Sequence, residues 1–118
     1  DIGLQASKIE VFGLTVDEYD YAIHLSGIAS AVKDGIMERD EAIKAGSSGA
    51  TTILFIKDGL TLPDHFSIDD EMPQVAESIR DKFDLKDGDI VIIGTGNSET
   101  KAEDGAFAAA TGLLMTTK

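Results

Sequence analysis

At 118 residues, 42% apolar and 27% charged, the chain has the make-up of a single folded domain, 1–118. Ten Lys and Arg against 22 Asp and Glu leave a net charge of −12, and the basic residues form no run, so nucleic acid and anionic membrane surfaces are set aside as partners. Cysteine is absent, which removes disulfides, thiol nucleophiles and Cys-based metal centres. No apolar stretch approaches the ~18 residues of a membrane span and no signal-peptide pattern is present, so a cytoplasmic location is expected.

Residues 1–6 carry no clear pattern and read as a strand or a loose end. Residues 8–14 are β-branched and aromatic and read as a first strand. Thr15 and Glu18 have capping-box spacing, and Tyr21, Leu25, Ile28 and Val32 then fall on one helical face, so a long helix is predicted up to Asp34-Gly35, where Gly35 would cap it. A short helix over 38–45 follows. Gly46-Ser47-Ser48-Gly49 then leads to the apolar run 51–56, which suits a strand covered on both faces. Asp58-Gly59 fits either a tight hairpin returning through 60–62 or a loop leaving a parallel strand. Pro63, which cannot donate to a ladder, favours the loop.

Asp69 or Asp70 can cap the next helix, Pro73 suits its first turn, and Met72, Val75, Ala76, Ile79 and Phe83 form its buried face. The chain then reads Leu85-Lys86-Asp87-Gly88-Asp89, the strand Ile90-Val91-Ile92-Ile93, a Gly-rich loop over 94–100, and a helix of small residues opened by the capping-box pair Thr100 and Glu103. The stretch from Leu85 to Ile93 resembles the final unit of the pyruvate kinase C-terminal domain. It also resembles part of the glutamyl ligases that build a deazaflavin cofactor, which continue with a Lys-Ala-Glu such as Lys101-Ala102-Glu103. Each likeness covers under a fifth of the chain, and no residue role is carried over from either.

Strands alternating with helices imply crossover connections. The expected fold is therefore α/β: a small, mainly parallel sheet of three to five strands, flanked by helices on both faces in a three-layer sandwich. In such sheets ligands collect beyond the carboxyl ends of the strands, which would bring residues 15–18, 57–59 and 94–101 to one rim and leave 46–49 at the opposite edge. The candidate ligand site is Gly94, Thr95, Gly96, Asn97, Ser98, Thr100 and Lys101. Two glycines would free backbone N–H groups, three side chains offer neutral hydrogen bonds, and one lysine and a helix N-terminus supply positive charge. That set suits a small anionic or polar metabolite. The spacing matches neither a dinucleotide fingerprint, which Glu99 breaks, nor a phosphate-binding Walker loop.

His65 with Asp64, Asp69, Asp70 and Glu71 does not fit an EF-hand, and its acids are accounted for as helix-start charge, so no metal is assigned. His24 reads as a partly exposed helix residue, and of Tyr19 and Tyr21 one, Tyr19, is expected at the surface. No catalytic residue and no cofactor is assigned. Three functional readings follow: a binding or regulatory domain using 94–101; a structural or accessory subunit meeting a protein partner or a second copy through its acidic face; and, least supported, an enzyme whose site is shared between subunits.

Overall fold

The computed structural model describes residues 3–116. Its elements in chain order are β1 (Leu4–Lys8), β2 (Tyr19–Leu25), a turn of 3₁₀ helix (Ala29–Ala31), α1 (Ile36–Lys44), β3 (Gly49–Ile56), β4 (Gly59–Thr61), α2 (Ile68–Glu71), α3 (Pro73–Lys82), β5 (Asp89–Gly96) and α4 (Glu99–Leu114). The five strands form one sheet in the order β1-β2-β5-β3-β4. Every neighbouring pair is antiparallel.

That direction overturns the expected mainly parallel sheet; the broader α/β class holds. Residues 8–14, 51–57 and 89–94 do not run side by side in one direction. The difference originates at residues 19–25, which form a strand. Their helical spacing at Tyr21, Leu25 and Ile28 is real, but Ala22, Ile23, His24 and Leu25 are all buried. A strand covered on both faces hides its period of two, and its continuous apolar run then passes for a helix. With a strand in place of the first crossover helix, β1 and β2 pair antiparallel and the later strands follow suit.

Local corrections accompany this one. The first strand is Leu4–Lys8; residues 1–2 of the 1–6 segment lie outside the described residues, and Ile9 and Val11 are buried as loop residues rather than strand residues. Gly35, at φ +83°, stands at the N-terminus of α1 instead of closing a preceding helix. Asp58-Gly59 belongs to the hairpin that joins β3 to β4, with Leu54, Phe55 and Ile56 opposite Thr61, Leu60 and Gly59. Its turn residues Lys57 and Asp58 both have positive φ, 53° and 64°, as a primed two-residue turn demands. β4 is an edge strand, so Pro63 just beyond it meets no ladder.

The sheet separates two cores. On one face Ala22, Ile53, Phe55, Val91 and Ile93 pack against Val75, Ala76 and Ile79 of α3. On the other Ile23, Leu25, Ile90 and Ile92 pack against Ala42 of α1 and Ala106, Ala109, Ala110 and Leu113 of α4. β5 is the central strand, buried along its whole length, which explains its unbroken apolar run. Among the described residues no helix is long and apolar enough to cross a membrane.

Candidate functional site

Because β2 and β3 both run against β5, the C-terminal end of β5 gathers the segments that lead into those strands: residues 9–18 and residues 46–49. The second was expected at the opposite edge; it lies here, with Gly49 opposite Thr95. The 57–59 turn, expected here, is at the other end, where the Lys57 amide donates to Asp87 Oδ1 at 2.6 Å.

Thr95 is the hub. Its carbonyl accepts from Ser47 Oγ at 2.7 Å and from the Ser48 amide at 2.8 Å. Its hydroxyl oxygen accepts from the Asp17 amide at 3.2 Å. Ser48 Oγ donates in turn to Asp17 Oδ2 at 2.7 Å. Thr15, expected to cap a helix, instead donates its hydroxyl to Asp20 Oδ1 at 2.5 Å. The Ser48 hydroxyl and the Glu18 amide hold the Asp17 carboxyl below its usual range, with a smaller contribution from the Lys101 charge. Burial pushes the Asp20 carboxyl up despite hydrogen bonds from Thr15 and Thr95.

The seven candidate residues of the Gly-rich loop divide in two. Gly94, Thr95 and Gly96 are buried and paired, with Tyr21, Asp20 and Tyr19 on one side and, for the first two, Ala50 and Gly49 on the other. A Cβ on Gly94 would meet the Ala102 carbonyl oxygen and lie 2.5 Å from the Ala106 nitrogen; one on Gly96 would lie 2.9 Å from the Ala102 nitrogen. These glycines let α4 cross β5 closely. Ser98 caps α4, accepting from the Lys101 amide at 3.2 Å, the role that sequence spacing gives to Thr100. Asn97, Thr100 and Lys101 are exposed.

What sequence reasoning missed lies on the adjoining loop. Phe12 is 100% exposed and Val16 81% exposed. They border a recess of about 750 Å³ that Glu10, Asp17, Glu18 and Asp20 also line. The loop is nonetheless fixed. Ile9 and Val11 are buried in the α3-side core with Leu14 packed against it, and the Leu14 amide donates to the Val11 carbonyl at 3.0 Å. Gly13, at φ +91°, makes the bend that turns Phe12 outward. The signal in the sequence is Phe12-Gly13, an aromatic followed at once by a turn residue, which its β-branched neighbours disguise as part of a strand.

At the opposite end of β2, His24 is buried, not half-exposed on a helix. Its Nε2 lies 2.7 Å from Asp89 Oδ2. Asp89 also accepts from the Gly27 amide at 2.9 Å and the Lys86 amide at 2.9 Å. Burial alone would raise the Asp89 carboxyl, but the His24 bond and the two amides outweigh it and hold it below its usual value. Among the described residues no group of three or more His, Asp or Glu is arranged to hold a metal ion. In the 64–71 segment, Asp69 pairs with Arg80 and accepts from the Leu60 amide at 2.7 Å, and Asp64 accepts from the Phe66 amide at 3.1 Å.

Fold and rim define an α/β domain with an all-antiparallel sheet sandwiched by helices and a structured apolar loop at one end. The chain belongs to the family described as "Domain of unknown function (DUF4443)", whose model matches residues 16–113. It is similar to a solved structure, "Hypothetical protein PH0730 from Pyrococcus horikoshii OT3", at 25% sequence identity and a TM-score of 0.71. The likeness covers 95% of this chain and 61% of that one, so the chain spans about three-fifths of that protein's length. No curated protein matches.

Proposed function

We infer that this domain is an interaction module whose 9–18 loop docks a protein partner with a basic, apolar-pocketed surface. The observation that carries the reading is Phe12: a fully exposed aromatic on a loop that buried Ile9 and Val11 and the Asp17–Thr95 hydrogen bond already hold in place. Exposed aromatics on ordered backbone lose little conformational entropy on binding and dominate interface energetics. Val16 extends the apolar patch, and Glu10, Asp17, Glu18 and Asp20 surround it. Such a ring steers a cationic partner and repels another copy of a chain carrying −12.

A small anionic or polar metabolite at 94–101 is the second reading. It rests on the exposed trio Asn97, Thr100 and Lys101 at the start of α4. The backbone of Gly94 and Gly96 is engaged in the sheet and so adds nothing to it.

A random peptide library selected on the immobilised domain separates the two. Enrichment of Lys- and Arg-flanked apolar peptides is expected, with affinity that falls as salt rises. Phe12→Ser and Val16→Ser should each weaken such peptides about tenfold or more at an unchanged melting midpoint, while Lys101→Ala leaves them bound. Peptides without basic enrichment, or ones that bind Phe12→Ser like the parent, would sink the docking reading. Stabilisation by phosphate or carboxylates that Lys101→Ala removes would support the second.

A further inference from the structure

The sheet has two edges, β1 and β4, and the chain treats them differently. A free edge is a row of N–H and C=O groups that another chain can extend. At β4 that row is closed. The outward amides of Leu60 and, just past the strand, Leu62 donate to Asp69 Oδ2 at 2.7 Å and to the Phe66 carbonyl at 2.9 Å, and Thr61 bridges to Ser67.

β1 is open. The bonds at the two ends of its ladder with β2 fix the alternation: the Ser26 amide donates to the Gly3 carbonyl at 3.0 Å, and the Ile9 amide to the Asp20 carbonyl at 3.4 Å. Gly3, Gln5, Ser7 and Ile9 therefore spend their backbone groups on β2, while Leu4, Ala6 and Lys8 aim theirs away from the sheet. Among the described residues the one partner on that side is local, the Ser7 hydroxyl donating to the Lys8 carbonyl at 2.8 Å. Leu4 and Ala6 lie opposite Leu25 and Ile23 of the α4-side core, yet both stay exposed.

Charge selects what can lie along this edge. Leu4–Lys8 carries no acid. At its Lys8 end a recess of about 660 Å³ opens between β2, α3 and the start of α4. Lys8 is paired with Glu99 at 3.0 Å, which leaves Glu10, Glu18, Asp20 and Asp81 in the lining, with Lys82 the one remaining cation among the described residues. A second copy, carrying −12, is repelled from this end, whereas a strand that ends in cationic side chains is drawn to it.

We propose that β1 takes an extended cationic segment of a partner protein as the sixth strand of the sheet. The segment runs antiparallel to β1, as every neighbouring pair in the sheet does, so its N-terminal end carries the basic side chains to the recess. Backbone bonds to Leu4, Ala6 and Lys8 supply affinity, and the alternate side chains that fall beside Leu4 and Ala6 are apolar. β1 leads into the 9–18 loop, but the strand site does not need Phe12 and stands without the loop reading.

The probe is an end-blocked peptide, Lys-Lys-Val-Thr-Val-Thr-Val, added to the isotope-labelled chain. The Leu4, Ala6 and Lys8 amides should slow in hydrogen exchange by about tenfold or more, while those of Leu60 and Leu62 keep their rates. N-methylation at alternate peptide residues reads the pairing directly. The set that points at β1 should abolish binding, and the set that points to solvent should change it by about twofold at most. Replacing both lysines of the peptide with glutamate should weaken it about tenfold or more. Ala6→Pro removes an amide that the β1–β2 ladder does not use, so the folded variant should lose the peptide. Phe12→Ser should bind it as the parent does. Equal effects from the two methylated sets, equal binding of the glutamate peptide, loss of binding in Phe12→Ser, or protection of the β1 amides by self-association without peptide would each overturn the proposal.

Discussion

At the scale of single residues, Asp89 and Gly94 carry the most. One Asp89 carboxylate ties β2, through His24, to the Gly27 turn and the Lys86 turn. Asp89→Asn is expected to cost about 2–3 kcal/mol in urea unfolding at neutral pH, since it leaves buried donors poorly matched. The folded-state pKa of Asp89 lies below its unfolded value, so its stabilisation is present in full above the unfolded pKa, about 4, and is lost as pH falls through the folded value. The gap between parent and Asp89→Asn should therefore narrow below about pH 4, and a gap that widens on acidification would contradict the assignment. Gly94→Ala would drive a methyl group into the backbone of α4 at Ala102 and Ala106, which no rotamer can relieve. A loss of about 3 kcal/mol is expected, against no more than about 0.5 kcal/mol for the exposed Asn97→Ala. Gly94 and Gly96 were legible as important in the sequence, but their reason was not: a glycine that admits a helix and one that admits a ligand look alike until the neighbour is seen.

Among the elements, those whose pattern had a single solution could be read from the sequence. Pro73–Lys82 shows one apolar face at Val75, Ala76 and Ile79, and Glu99–Leu114 shows another at Ala102, Ala106, Ala109 and Leu113. Ile90–Ile93 could only be a buried strand. Tyr19–Leu25 had two solutions, since its residues fit a helix face and a doubly covered strand equally, and the choice depended on partners at β1 and β5 that are remote in sequence. The 9–18 loop was hidden for the same reason: Ile9 and Val11 alternate as a strand does, yet they anchor a bend. Pro63 argues against the β3–β4 hairpin only if it lies within the ladder, and it lies just past the edge strand. The hairpin turn contains Lys57 at φ 53° and Asp58 at φ 64°, a conformation that costs an L-residue roughly 1 kcal/mol and glycine almost nothing. Lys57→Gly should therefore raise the melting midpoint slightly, by the equivalent of about 0.5–1 kcal/mol. An unchanged or lowered midpoint would mean that the turn relaxes in solution.

On the scale of the whole molecule, a charge of −12 sets the behaviour. Among the described residues the Lys and Arg ion pairs are few and largely solvated, so self-repulsion is only partly offset. Raising salt from about 0.01 M to 0.15 M shortens the screening length from roughly 30 to 8 Å and should raise the melting midpoint; a midpoint that falls would show that attractive pairs outweigh the repulsion. The strand order has a consequence of a different kind. Among the described residues, β1 with β2 and β3 with β4 are two pairs that share no edge, and β5, which follows both in the chain, is the only strand that bonds to each. During synthesis, everything up to α3 leaves the ribosome before the strand that unites it does. A fragment ending short of Asp89 should stay a loose pair of hairpins, dependent on chaperones, until a separately supplied 89–116 peptide completes the sheet.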